Sequence, residues 1–312
     1  MGKVLITDYV HDHLISGLED LGYEVIYNQK FNPEDLQDAV KELSGIVINS
    51  KIKMTQSIIQ SAPHLKFIGR LGSGLEIIDL ECAEENNIAV FNTPSGNCDA
   101  VAEHAIGMLL MLNNNLMQAD RQVRQKHWDR EGNRGTEVMG KTLGIIGLGH
   151  TGRSLARKLS GWALDIIYYD PYVLENPEDY DYLSKVSLDT LCRSSDIISL
   201  HVPLTEETKG MVDRDFLMKC QRKPVLINTS RGKVVDTQAL ISALDQQTIR
   251  GACLDVFENE KPHSFTSEED QLYNRLYALD NVILSPHIAG WTHESLYKIA
   301  DGLLDKISKL DL

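Results

Sequence analysis

The chain has 312 residues, more than a single hydrophobic core usually organises, which predicts two domains. Apolar residues make up 42% of the sequence and charged residues 24%, which excludes collagen-like, low-complexity and wholly disordered classes. The 31 lysines and arginines against 45 aspartates and glutamates give a formal charge of -14, so no nucleic-acid partner is expected.

Targeting signals and cross-links are not evident in the sequence. The N-terminus reaches Asp8 before any apolar run of signal-peptide length, and the most apolar stretch, residues 105–112, is far short of a membrane span. The five cysteines are scattered and include no Cys-x-x-Cys pair, which argues against a disulfide framework and a zinc site. We therefore expect a cytoplasmic protein with no membrane partner and no metal.

Short apolar runs alternate with helical stretches along the chain, a pattern typical of parallel α/β sheets. Five early runs predict one small open sheet: Val4–Thr7, Tyr23–Tyr27, Gly45–Ile48, Phe67–Arg70 and Ile88–Phe91. Six later runs predict a six-stranded sheet: Thr142–Ile146, Asp165–Tyr169, Asp196–Leu200, Pro224–Asn228, Gly251–Phe257 and Asn281–Ser285. Between the two sets, residues 99–128 predict one long linking helix. The spacing of apolar residues from Leu296 to Leu310 predicts a C-terminal amphipathic helix, whose apolar face must be covered.

A glycine-rich loop follows the first strand of the larger sheet. Gly147, Gly149 and Gly152 form a Gly-x-Gly-x-x-Gly motif between that strand and an amphipathic helix. The first glycine allows a tight turn, the second lets a pyrophosphate approach the backbone, and the third lets the helix pack on the strand. A glycine triplet alone also occurs in ordinary turns, but with the flanking strand and helix it indicates a dinucleotide site.

Asp170 ends the next strand, about 20 residues further on, where such folds bind the adenosine ribose hydroxyls with a carboxylate. The same carboxylate would repel a 2′-phosphate, because two anions would share one poorly solvated corner. The cofactor predicted from this residue is NAD rather than NADP.

Three ionisable residues follow successive strands of the larger predicted sheet: Arg231, Glu260 and His287. Parallel strands bind ligands at their carboxyl ends, so these side chains are expected to converge. Arginine can grip a substrate carboxylate, and a histidine beside a carboxylate can exchange a proton with an alkoxide near neutral pH. Each residue also has a plain alternative, as a helix cap, a solvated loop acid or a structural histidine. Together they predict hydride transfer to or from a 2-keto acid.

These motifs, with several others, resemble the D-isomer-specific 2-hydroxyacid dehydrogenases over nearly the whole chain. The matching segments are Gly69–Gly74, Asn92–Pro94, Val101–His104, Gly147–Gly152, His201–Thr205, Asn228–Gly232, Leu254–Phe257 and Ser285–Gly290.

The resemblance implies an α/β fold of two doubly wound parallel-sheet domains with a cleft between them. Residues 1–96 and 288–312 would form a flavodoxin-like substrate-binding domain, and residues 97–287 an NAD-binding Rossmann domain. The resemblance also implies a homodimer formed through the long helix after Asp99.

Site residues carried over from the family are expectations of the same kind. Arg231, Glu260 and His287 match its catalytic trio, and Glu260 keeps the usual spacing from Asp255 although Lys261 is inserted before Pro262. The backbone at Ser73 and Gly74 matches the site for the substrate carboxylate. The remaining cofactor contacts would come from His150, Thr151, His201, Val202, Pro203, Thr208, Thr229 and Asp255.

Within the family the chain is most similar to short phosphoglycerate dehydrogenases. Lys51 and Lys53 lie in the segment that contacts the substrate phosphate in those relatives, and Arg130 and Arg134 lie in the segment before the glycine loop. These charges are equally well explained as solvated surface residues. Because the sequence ends at Leu312, we expect neither a regulatory amino-acid-binding domain nor feedback by serine.

The expected function is NAD-dependent oxidation of D-3-phosphoglycerate to 3-phosphohydroxypyruvate, the first step of serine biosynthesis, with a small 2-hydroxy or 2-keto acid as the partner molecule. A hydroxypyruvate or glyoxylate reductase is the nearest alternative, because it needs the same chemistry without a phosphate site. A non-enzymatic NAD(H)-sensing scaffold is an alternative from another class.

Overall fold

A computed structural model describes residues 2–310 of the chain. The strands are β1 Lys3–Ile6, β2 Glu24–Tyr27, β3 Leu43–Ile48, β4 Phe67–Arg70, β5 Ala89–Asn92, β6 Thr142–Ile146, β7 Asp165–Tyr169, β8 Leu183–Lys185, β9 Ile197–Leu200, β10 Val225–Asn228, β11 Gly251–Leu254 and β12 Val282–Leu284. The helices are α1 Asp12–Asp20, α2 Leu36–Ala39, α3 Gln56–Gln60, α4 Leu80–Glu85, α5 Cys98–Asn113, α6 Leu116–Arg124, α7 His150–Leu159, α8 Leu188–Ser194, α9 Arg214–Met218, α10 Thr237–Asp245, α11 Ser267–Tyr277 and α12 His293–Ile307.

The chain divides into two compact units. The first runs to Cys98 and includes the C-terminal segment from Trp291, and the second is Asp99–Gly290. The predicted domain boundaries, 96/97 and 287/288, lie two and three residues before these divisions. Residues 1 and 311–312 of the predicted first domain lie outside the described residues.

The first unit contains a parallel sheet in the order β2-β1-β3-β4-β5, which is the flavodoxin-like order and confirms the predicted five-stranded sheet. Neighbouring strand residues alternate between two apolar clusters, one on each face. Helix α12 contributes Ile299, Leu303 and Ile307 to one cluster, beside Leu14 and Leu18 of α1. The predicted apolar face of the C-terminal helix is thus covered by its own unit.

The second unit contains a parallel sheet in the order β12-β11-β10-β9-β6-β7-β8. Every residue of the central strands β6, β9, β10 and β11 is buried, because apolar layers cover both faces. Helices α5 and α7 supply one layer, and α9, α10 and α11 contribute to the other. This doubly wound arrangement confirms the predicted fold class.

Two predictions about the elements are wrong. The larger sheet has seven strands rather than six, because β8 pairs with β7; this edge strand has only one buried residue, Leu183, and so carries no clear apolar run. The predicted single linking helix is two helices. It breaks at Asn115, whose φ of 52° is left-handed, a conformation that asparagine tolerates better than most residues.

Within residues 2–310, no helix combines the length and the apolar character that crossing a membrane requires. All five cysteines are free thiols, and four of them are buried.

Candidate active site

The glycine loop joins β6 to α7 in the geometry that a dinucleotide requires. Gly147 has a φ of 92°, and a Cβ there would lie 2.5 Å from the carbonyl oxygen of His201. A Cβ on Gly152 would lie 2.2 Å from the Gly147 carbonyl oxygen, so helix and loop meet only because both residues are glycines. A Cβ on Gly149, the residue before α7, would meet nothing within 4 Å. The loop is therefore tight on the protein side and open at Gly149, as a cradle for a pyrophosphate must be.

Asp170 directly follows β7 and lies beside this loop. Its Oδ2 accepts a hydrogen bond from the Leu148 N–H at 2.8 Å, and its Oδ1 accepts one from the Tyr172 N–H at 2.8 Å. The carboxylate is thereby fixed at the carboxyl ends of the strands, where a ribose would lie.

Two buried polar atoms near the loop have no hydrogen-bond partner among the described residues. They are Nδ1 of His201 and Oγ1 of Thr229. Nε2 of His201 contacts the Ser199 hydroxyl at 2.8 Å, and burial lowers the pKa of His201 to about 4, so the ring is neutral near pH 7. Buried polar atoms are rarely left unpaired, so these two atoms fit a site completed by a polar ligand such as the dinucleotide.

The other predicted cofactor residues lie along the same edge of the seven-stranded sheet. His150 and Thr151 begin α7, and Thr208 donates a hydrogen bond to the Pro203 carbonyl oxygen at 2.6 Å. The loop after β9 that contains Val202 is thereby folded back on itself. Asp255, after β11, is 1% exposed.

Arg231, Glu260 and His287 belong to the loops that follow β10, β11 and β12, and the fold brings the last two into contact. Nδ1 of His287 lies 2.8 Å from Oε2 of Glu260. The charge of Arg231 acts on both residues, and its Nη1 donates to the Ser230 carbonyl oxygen at 2.8 Å. An acid–base pair with an adjacent guanidinium is thus assembled at the edge that carries the glycine loop.

The pair is polarised towards the ionised state. The hydrogen bond to Glu260 raises the pKa of His287, against the opposing effect of burial. Burial alone would raise the pKa of Glu260, but the hydrogen bonds with His287 and the Phe257 N–H, together with the charge of Arg231, hold it below its usual value. His287 can therefore carry a proton at a pH where an ordinary histidine is neutral.

The acidic loop before α11 offers two glutamates for this role, and only one contacts His287. Oε1 of Glu258 instead accepts a hydrogen bond from the Thr237 N–H at 2.7 Å. The inserted Lys261 is accommodated by a turn in which its N–H donates to Asn259 Oδ1 at 3.0 Å. The insertion therefore does not disturb the contact between Glu260 and His287.

Apart from Arg231, the predicted substrate residues belong to the first unit. The loops after β3 and β4 adjoin, because those strands pair and Arg70 Nη1 donates to Asn49 Oδ1 at 2.8 Å. Lys51 donates to the Gln29 carbonyl oxygen at 2.7 Å and lies 3.8 Å from Asp8, so its charge is already partly used. Ser73 accepts from the Asn92 amide at 2.7 Å, and Gly74 follows it in the same loop.

The sequence reasoning missed Arg70 as a candidate. It directly follows a buried strand and lies against Gly72, where a Cβ would come within 3.0 Å of its Nη1. The signal was available, because the rule that selected Arg231, a basic residue at the carboxyl end of a parallel strand, applies equally to Arg70.

Comparison with known proteins identifies the family to which the chain belongs. Residues 106–289 match the family model described as D-isomer specific 2-hydroxyacid dehydrogenase, NAD binding domain. The chain is 35% identical to D-3-phosphoglycerate dehydrogenase of Methanocaldococcus jannaschii over 99% of its own length and 57% of that protein. It is also 35% identical to hydroxypyruvate reductase of Thermotoga maritima, over 91% of this chain and 90% of the relative. The chain thus spans little more than half the length of the curated phosphoglycerate dehydrogenases that it matches.

Among solved structures, the chain is similar to D-lactate dehydrogenase from Aquifex aeolicus complexed with NAD and lactic acid. The TM-score is 0.83 at 30% identity, over 97% of this chain and 94% of that one. The chain belongs to the D-isomer-specific 2-hydroxyacid dehydrogenase family, and its second unit contains the NAD-binding domain of that family.

Proposed function

We propose that this chain catalyses the NAD-dependent interconversion of a short D-2-hydroxy acid and its 2-keto acid, with D-3-phosphoglycerate as the first candidate substrate. The observation that carries the proposal is the 2.8 Å contact between His287 and Glu260 beside Arg231, on the sheet edge that holds the glycine loop. The same edge offers unpaired buried atoms and an open Gly149 for the dinucleotide.

The residues divide the work as follows in the direction of oxidation. Arg231 binds the substrate carboxylate and polarises the reacting C–O group. His287 takes the hydroxyl proton on Nε2, because its Nδ1 is engaged by Glu260, and Glu260 stabilises the resulting imidazolium. Bound NAD supplies the hydride acceptor. In reduction His287 returns the proton to the developing alkoxide.

The choice of acid rests on the first unit. The resemblance to phosphoglycerate dehydrogenases favours a phosphorylated substrate, with the backbone of Ser73 and Gly74 at the carboxylate and Lys51 near the phosphate. Hydroxypyruvate or glyoxylate is the second candidate, and one observation favours it: Lys51 already donates to Gln29 and faces Asp8, which weakens it as a phosphate ligand.

The deciding experiment is NADH oxidation by the purified protein, followed by absorbance, with phosphohydroxypyruvate, hydroxypyruvate and glyoxylate at matched concentrations. A higher kcat/KM for the phosphorylated acid supports the first candidate, and a preference for a plain acid supports the second. NADH binding without turnover of any 2-keto acid would contradict both and favour a sensing role.

We also propose that the chain forms a homodimer through α5 and α6. Large apolar side chains about half exposed or more cluster on α6 and just after it: Leu116, Met117, Val123 and Trp128. Several exposed apolar side chains within one short segment favour a protein interface there. Light scattering on the wild type should give twice the chain mass, and Val123→Asp should lower it towards the monomer; a monomeric wild type would refute the proposal.

A further inference from the structure

The buried carboxylate of Asp255 is surrounded by hydrogen-bond donors. Its Oδ2 accepts from the Ala289 N–H at 2.9 Å, and its Oδ1 accepts from the Ile288 N–H at 2.9 Å and from the Ser285 hydroxyl at 2.5 Å. A carboxylate that is 1% exposed is stable only with such donors around it. Three residues of the segment that carries His287 are therefore tied to one side chain.

The backbone of His287 needs this support. Its φ is 55°, in the left-handed region that a non-glycine residue holds only when the surrounding structure enforces it. The His287 N–H donates to the Asp255 carbonyl oxygen at 2.7 Å. The main chain of Asp255 thus bonds to His287 itself. Its side chain bonds to Ser285 before the strained turn and to Ile288 and Ala289 after it.

His104, in the middle of α5, extends this network from another element. Its Nε2 lies 2.9 Å from the Ser285 hydroxyl oxygen and 3.6 Å from Asp255 Oδ1. A serine hydroxyl has one hydrogen, and the 2.5 Å contact with the acceptor-only carboxylate uses it. Nε2 of His104 must then be the donor to Ser285, so the contact geometry assigns its tautomer.

We propose that His104 is a positioning residue for the reaction: by donating to Ser285 it aligns the serine hydroxyl on Asp255, and Asp255 in turn fixes the backbone that presents His287 to the substrate. The inference rests on the proposed function in one respect, that His287 exchanges the proton. His104 acts only through Ser285 and Asp255.

Three variants separate hydrogen-bond donation from simple space filling. His104→Gln keeps an N–H donor where the histidine has Nε2–H, His104→Leu keeps bulk without a donor, and Ser285→Ala removes the middle of the relay. Amide hydrogen exchange at Ile288 and Ala289 reads the network directly and needs neither cofactor nor turnover. We expect faster exchange in His104→Leu and Ser285→Ala, and near wild-type protection in His104→Gln.

Kinetics give the second reading. We expect kcat for keto-acid reduction to fall roughly 10- to 100-fold in His104→Leu and Ser285→Ala, because a small misplacement of a reacting group is enough for such a loss. KM for NADH should change little. The charged groups that face His287 are Glu260, Asp255 and Arg231. The two acids raise the pKa of His287, so if their alignment with it loosens, the alkaline limb of the pH profile for keto-acid reduction should move to lower pH.

The outcomes distinguish this proposal from the proposed function. Equal exchange rates and equal pH profiles in His104→Leu, Ser285→Ala and the wild type would overturn the relay even if the enzyme is active. Equal losses in His104→Gln and His104→Leu would also overturn it, since donation would then be irrelevant. If the wild type reduces no 2-keto acid, the proposed function fails, and the exchange data still decide whether the relay exists.

Discussion

The carboxyl edges of the two sheets differ in how their site residues are bound. At the edge of the seven-stranded sheet, His287 and Glu260 contact each other, and their hydrogen bond raises the pKa of His287. At the edge of the five-stranded sheet, Lys51 is held by a backbone carbonyl and an acid of its own unit. The proposed proton-transfer pair is thus fixed by a mutual contact within one edge, whereas the lysine proposed to contact the substrate already has competing local partners.

The variant with the largest expected effect on this contrast is His287→Asn. Asparagine tolerates the left-handed backbone at this position but cannot transfer a proton near neutral pH, so we expect kcat to fall about 10²- to 10⁴-fold. NADH affinity, measured by fluorescence, should be little changed. His64→Asn, an exposed histidine of the first unit, is the matched control and should behave as the wild type. A loss below tenfold in His287→Asn would remove this histidine from the mechanism.

Glu260→Gln tests the electrostatic half of the pair. The hydrogen bond to the carboxylate raises the pKa of His287, so its removal lets the imidazolium lose its proton at lower pH. The rate of keto-acid reduction, which needs the protonated ring, should therefore decline at lower pH than in the wild type, with a loss of roughly tenfold on the alkaline side. The rate of oxidation, which needs the neutral ring, should extend to lower pH.

Glu258→Gln is the control for that variant. It removes a carboxylate from the same loop, but this carboxylate contacts Thr237 and not His287. Its pH profiles of kcat/KM should match those of the wild type in both directions. A profile that shifts equally in both variants would show a general charge effect of the acidic loop, and the specific role of Glu260 would be lost.

The positions of most strands and the identity of the glycine loop could be predicted because they depend on local pattern. Gly147, Gly152 and Asp170 follow buried strands at fixed spacing, and one rule about parallel sheets places them. The His104–Ser285 contact could not be predicted, because it joins residues 181 positions apart and exists only once α5 packs on the sheet. Nor could β8 be predicted, since its pairing depends on β7 rather than on an apolar run of its own. For the same reason, Lys51 offered no sequence signal for its contact with Gln29.

Asp170→Asn probes the cofactor end of the same edge. It keeps an oxygen to accept from the Leu148 N–H but removes the charge that would repel a 2′-phosphate. We expect the ratio of NADH to NADPH affinity to fall about tenfold, equivalent to about 1.4 kcal/mol. Binding titrations by protein fluorescence measure both constants. Asp165→Asn, at the exposed start of the same strand, should leave the ratio unchanged.

The smallest effect is expected at the other edge, where Lys51→Gln removes the predicted phosphate contact. Because this side chain is exposed and already bonded to Gln29, its contribution should be that of a surface ion pair, a rise of about fivefold in KM for the phosphorylated acid. KM for hydroxypyruvate should not change. Lys66→Gln is the matched control, an exposed lysine that directly precedes β4 at the opposite end of the same sheet. If Lys51→Gln leaves KM for the phosphorylated acid unaltered, Arg70, at the carboxyl end of β4, is the next cation of this edge to test. In that case the five-stranded edge would select its substrate through Arg70, which ends β4, rather than through Lys51.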